Sequence, residues 1–137
     1  MKRTIREDVY EAYSLHDMNV IALEVEGDTL IMRTQSGMVE TTPPYGQPAG
    51  YVEFRNVKWE FSYVYILNIT ANEGEFQGQK LRLKTFINNV NNFGFSVVDS
   101  TYGYNQSKFA GHLSTNRGFC ECNIEIYHEG NMVYVEE

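Results

Sequence analysis

Residues 120–137, CECNIEIYHEGNMVYVEE, decide the fold class. Cys120, Cys122, Ile124 and Ile126 alternate with Glu121, Asn123, Glu125 and Tyr127, so a strand here has one dry face and one wet face. Gly130-Asn131 follows as a turn signal, and Met132 to Val135 return. Alternation closed by a short Gly-containing turn predicts a half-buried antiparallel hairpin. In that hairpin both sulfurs point inward, and Tyr127 opposes Tyr134 on the outer face. The last strand, Met132–Val135, is then an exposed edge, open to pairing in a homodimer.

The same period runs upstream. Ile21, Leu23 and Val25 alternate with Ala22, Glu24 and Glu26, Gly27-Asp28 turns, and Leu30 and Met32 come back. Pairing Glu26 with Thr29 sets Val25 against Leu30 and Leu23 against Met32, with Glu24 diagonal to Arg33 on the wet side. Ser36-Gly37 breaks the chain, and all three prolines lie between 43 and 48, around Tyr45. Val52 and Phe54 resume the alternation, but the parity slips at Arg55-Asn56, a bulge or corner. Trp59 to Ile69 carries large apolar residues on both parities and predicts a central strand covered on both faces. Residues 71–78 form an acidic loop holding Glu73 and Glu75. Leu81, Leu83 and Thr85 then alternate with a basic row, Lys80, Arg82 and Lys84, a solvated face or an edge guard. Phe93–Val98 and Lys108–Ser114 complete the set, with turns at 102–105 and at Asn116-Arg117. Residues 4–15 stay open: Ile5, Val9 and Tyr13, four apart, serve a short N-terminal helix or a strand.

Strands every eight to twelve residues or so predict an all-β fold. The expectation is one domain over residues 1–137, a single antiparallel β-sandwich or flattened β-barrel of about 8–10 strands. Its core is Ile21, Leu23, Val25, Leu30, Met32, Val52, Phe54, Trp59, Phe61, Leu81, Leu83, Cys120, Cys122, Ile124, Ile126 and Val135. The 42% hydrophobic and 14% aromatic content fits a globular chain of 137 residues. A net charge of −7 argues against nucleic acid, whose phosphates need a basic surface. No apolar stretch predicts a signal or a membrane span, and the expected compartment is the cytoplasm.

Chemistry is harder to find. Cys120-x-Cys122 with His112 and His128 resembles a ligand set, yet strand parity opposes it. Leu113 pairs with Cys120 and Glu121 with His112 around the Asn116-Arg117 turn, so His112 faces away from both sulfurs. His128 stands six residues from Cys122, roughly 20 Å along a strand, whereas zinc ligands converge to about 2.0–2.3 Å from one point. The cysteines read as small buried hydrophobes, and no metal or cofactor is expected. In His16-Asp17, Asp17 suits a turn and His16 a bond to a carbonyl. An enzymatic reading requires Glu73, Glu75, Asp99 and His16 to meet in space; no nucleophile elbow, phosphate loop or HExxH is present.

Leu15-His16-Asp17 leading into Met18 to Arg33, Val52-x-Phe54-x-x-Val57 after a loop, and Tyr102-Gly103-Tyr104 before the closing strands carry a resemblance. The chain resembles a loose group of small all-β bacterial proteins, some of which look like immunity proteins that neutralise secreted toxins of competing cells. The resemblance implies a non-enzymatic inhibitor that binds one protein partner, with no catalytic residues to carry over. On the leading expectation an acidic surface steers a basic toxin domain, and Tyr45, Tyr102, Tyr104, Tyr127 and Tyr134, with Glu73 and Glu75, form the contact set. The alternative is a carrier whose barrel or inter-sheet cavity holds a small apolar ligand.

Overall fold

The computed structural model describes residues 1–67 and 77–137; Glu73 and Glu75 lie outside them, as does most of the acidic loop. The strands are β1 (Lys2–Ile5), β2 (Tyr13–Ser14), β3 (Asn19–Glu26), β4 (Thr29–Thr34), β5 (Val39–Glu40), β6 (Gly50–Phe54), β7 (Tyr63–Leu67), β8 (Gly78–Arg82), β9 (Gly94–Gly103), β10 (Gln106–Thr115), β11 (Gly118–Tyr127) and β12 (Met132–Glu136), with one helix, α1 (Leu83–Asn89). Ten strands make one antiparallel sheet in the order β1-β12-β6-β4-β3-β9-β10-β11-β7-β8, and β2 pairs with β5 in a small second sheet.

The sheet folds over at β3 and β9, which share only the pairs Asn19–Ser96 and Val20–Phe95. Phe54 of β6 and Phe109 of β10 have ring centroids 5.9 Å apart, although β4, β3 and β9 lie between them. Four strand spacings in a flat sheet would separate them by roughly 19 Å, so the two five-stranded halves face each other as a sandwich. Their inner faces share one core: Leu23, Leu30, Met32, Val52, Phe54 and Tyr134 from one half, and Phe95, Val97, Phe109, Leu113, Cys122, Ile124 and Ile126 from the other. Among the described residues the edges β1 and β8 do not pair, so these strands form no closed barrel.

Two hairpins form as the alternation predicts. The β3–β4 register sets Val25 against Leu30 and Leu23 against Met32, and Arg33 Nε donates to Glu24 at 2.9 Å. In β10–β11, Leu113 faces Cys120 and His112 faces Glu121. The residues at 120–137 do not form a hairpin. β11 pairs with β10 and β7, whereas β12 pairs with β6 and β1. After Tyr127 the chain meets the corner at 55–58: His128 bridges Val57, and Glu129 and Gly130 donate to the carbonyls of Asn56 and Arg55. It thereby crosses from one half to the other. Alternation fixes which residues share a face and says nothing about which strand is the neighbour. Since β12 is paired on both sides, the final strand offers no edge for a homodimer.

The crossover resets the parity of β12. Met132 and Tyr134 enter the common core, while Val135 joins Ile31, Tyr51 and Val133 in a cluster on the outer face. Arginines cover that cluster. Arg33 lies 4.8 Å from the Tyr51 ring centroid, and Arg3 and Arg55 both pair with the buried Glu53, their stems shielding apolar surface.

Four other expectations are corrected. A bulge between Val20 and Ala22 turns Ile21 outward, 45% exposed, and puts Val20 in the core. The corner after Phe54 leads into a short 3-10 turn, Trp59–Phe61, so Trp59 is only half-buried and Phe61 is 58% exposed; β7 then lies one strand from the β8 edge rather than centrally. The basic-row strand ends at Arg82. Leu83, Phe86, Ile87 and Val90 follow helical spacing, and α1 buries Leu83 and Phe86 on the open flank of the second half. Residues 4–15 hold no helix: β1 ends at Ile5 and the chain is irregular until β2. No described helix is long and apolar enough to cross a membrane.

Candidate functional site

β2 is held by β5 through Tyr13–Glu40 and Ser14–Val39, so Tyr13 and Leu15 point into the core while Ser14 and His16 face outward. Asp17 turns the chain at φ +66°, a conformation that Asp tolerates through local hydrogen bonding. Its N–H donates to the Val97 carbonyl at 2.8 Å. His16 Nδ1 lies 2.8 Å from the Val98 carbonyl, which makes Nδ1 the donor, and Nε2 is 3.4 Å from the Asp17 carboxylate. Val98 is the extra residue of a bulge: Ala110 pairs with Asp99 and Gly111 with Val97. Glycine is required there, because a Cβ at Gly111 would stand 1.8 Å from the Ser96 carbonyl oxygen. Asp99 and Ser100, which follow the bulge, line one pocket with His16.

Between these segments lies a pocket of about 180 Å³ lined by Glu11, Ser14, His16, Asp99, Ser100 and Tyr102, with Leu15 and Val98 as its apolar wall. Arg6, at the exit of β1, places its guanidinium 3.8 Å from the Tyr102 ring centroid and 4.0 Å from both Asp8 and Glu11. Burial pushes the Tyr102 phenol up to about 12, so it remains a hydrogen-bond donor at neutral pH. Glu11 and Asp99 line this pocket, Asp17 stands against His16, and Asp8 shares Arg6 with Glu11. Next to them in sequence, Val9 is 98% and Tyr10 50% exposed. The arrangement is an acidic pole carrying two apolar side chains and a pocket rich in acceptors, which is the chemistry of cation recognition.

A second concavity, about 820 Å³, opens toward the other end of the β9–β10 ladder, between α1 and the β10–β11 turn. Its floor is the inner face of the second half, with Ile66, Leu81, Phe86, Leu113 and Cys120; Gln79, Asn89, Asn91, Asn116 and Arg117 stand among its rim residues.

The expected contact tyrosines scatter. Tyr45 and Tyr104 are 60% and 92% exposed, in the proline loop and at the β9–β10 turn. Tyr134 is buried, its ring 5.0 Å from Tyr13, an interior residue contrary to expectation; Tyr102 is half-buried, packing on Phe109 at 6.1 Å while it lines the pocket. Tyr127 is half-buried against Phe61, 5.8 Å away, and does not face Tyr134. Of the residues that an enzymatic reading needs, His16 and Asp99 do share a pocket, while Glu73 and Glu75 lie outside the described residues. Arg6, Tyr10 and Glu11 are absent from the expected set because the spacing of Ile5, Val9 and Tyr13 leaves helix and strand open, and so does not place their side chains; the one signal is the charge density of Arg6, Glu7, Asp8 and Glu11.

Cys122 is fully buried and its thiol is pushed up to about 12 by desolvation. Cys120 is half-buried, its thiol likewise raised by burial. His112 lies on the face opposite the sulfurs and stacks on Phe119 at 5.1 Å. His128 is buried: Nδ1 donates to the Gly130 carbonyl and Nε2 accepts from the Ser107 hydroxyl, each at 2.8 Å. This pins the crossover. The basic row lies on and beside the edge: Lys80 sits 4.2 Å from the Tyr63 ring centroid and Lys84 5.4 Å from Trp59.

Comparison with protein-family models, with curated proteins and with solved structures returns no match.

Proposed function

We propose that the protein is a protein-binding module of the immunity type, and that the acidic pole is where it meets a basic partner such as a toxin domain. The observation that carries this reading is the convergence of Glu11 and Asp99 on one pocket, with Asp17 against the pocket's His16 and the exposed Val9 and Tyr10 next to Glu11 in sequence. Apolar side chains supply desolvated contact, and surrounding carboxylates steer a basic surface and disfavour acidic ones. Tyr10 is the exposed anchor here, with Tyr102 in the pocket wall, whereas Tyr134 lies in the core.

The test is co-expression with the protein encoded beside this one, scored for a stable complex and for relief of toxicity. A complex whose association slows as salt is raised supports the reading, because exposed charges are screened within about 8 Å at physiological ionic strength. The double variant Glu11→Lys/Asp99→Lys is expected to slow association at least about tenfold while leaving the fold intact. Absence of both complex and protection, or association indifferent to that double variant, contradicts the proposal.

A further inference from the structure

The inner face of the second half is not fully covered by the first. Beyond Leu113 and Cys122 the core runs out between α1 and the β10–β11 turn into the 820 Å³ concavity. That volume falls in the range of small-molecule sites, about 300–1,000 Å³. Its two zones differ in chemistry. The floor is apolar and continuous with the core through Leu81, Phe86 and Leu113. Among the described residues the rim carries neutral amides and one cation. Asn92 sits at φ +54° and is accounted for by the turn it makes, but Gln79, Asn89, Asn91 and Asn116 have no such positive φ and still line the opening. Arg117 is the one charged residue among the described lining, and no described carboxylate comes within 4.0 Å of it. The described lining of this mouth holds no carboxylate, whereas the acidic pole holds Glu11 and Asp99.

We infer that the mouth binds an amphipathic monoanion, an acyl chain ending in a carboxylate. The chain lies on the apolar floor, the amides bond the head, and Arg117 pairs with its charge in a bidentate contact. The alternative expectation places a small apolar ligand in a barrel or inter-sheet cavity; between the sheets Phe54, Phe109 and Ile124 belong to the packed core. The mouth is where apolar surface is left over. This site owes nothing to the acidic pole, so either assignment can fail without the other.

Titration calorimetry with hexanoate, octanoate and decanoate, each below its micelle-forming concentration, tests the inference. Affinity is expected to rise roughly fourfold per added methylene until the floor is covered, as burial of each CH₂ dictates. Decanoate is expected to bind at least about tenfold tighter than decanol, and decyltrimethylammonium more weakly still. Arg117→Gln, at an exposed position, is expected to bring decanoate down to the level of decanol. Decanoate is also expected to slow alkylation of Cys120, which lines the floor, whereas the fully buried Cys122 stays unreactive with or without ligand. No heat with any of the three acids, equal binding of the ammonium, or a decanoate preference that survives Arg117→Gln overturns the assignment.

Discussion

Tyr134 fills the space between the two halves with its ring, and its buried hydroxyl, set beside that of Tyr102, makes no hydrogen bond of normal geometry. Burial beside Tyr102 holds that phenol well above its ordinary range. An unsatisfied buried hydroxyl costs about 1–3 kcal/mol, so Tyr134→Phe is expected to leave stability unchanged or to raise it by up to about 1 kcal/mol in urea unfolding. A loss of similar size contradicts the packing described. His128 gives a pH signature. Burial lowers its affinity for a proton in the fold, so as pH falls through about 6.5 the unfolded chain is protonated first. Stability is therefore full above that range and declines below it. Between about pH 7.5 and 5.5 the wild type is expected to lose more unfolding free energy than His128→Gln; equal losses refute the assignment. Part of this scale is legible in the sequence. Asp17 as a turn and His16 bonded to a carbonyl follow from residue type, and the inward Cys122 follows from its alternation with Glu121 and Asn123. The buried Tyr134 does not, because tyrosine fits a wet face or a dry one and only the partner strand decides.

Hairpins were readable wherever a tight turn forced two strands together. Gly27-Asp28 fixed the β3–β4 register, and Asn116-Arg117 fixed β10–β11. The error at β12 has the same origin: Gly130-Asn131 resembles a hairpin turn, but the chain bonds instead to the corner at 55–58, more than seventy residues away. Likewise the helical spacing from Leu83 to Val90 was hidden by the alternation of lysines and arginine just before it. The candidate pocket is built from residues 11–16 and 98–102, a pairing that no local pattern encodes. β1 covers the far side of β12 through four residue pairs, Lys2–Glu136 to Ile5–Val133. Deleting residues 1–5 removes that cover and exposes a strand edge beside Val133 and Val135. The truncated chain is expected to melt at a lower temperature and to self-associate in sizing with light scattering. A monomer of unchanged stability contradicts the role given to β1.

For the whole molecule, the crossing of the last strand sets everything else. It brings β12 and β1 to the first half, carries Arg6 across to Tyr102, and so assembles the acidic pole. It also leaves the β10–β11 turn and α1 alone at the other end, where the mouth opens. It takes Tyr134 out of the set of available contact residues as well. The most direct check is an NMR measurement of cross-strand backbone contacts to Tyr134. The fold described here predicts proximities from Tyr134 to Thr4 and to Val52, and none to Tyr127. Contacts between Tyr134 and Tyr127, with none to Val52, would restore the simple terminal hairpin and contradict the sandwich from which both proposed sites derive.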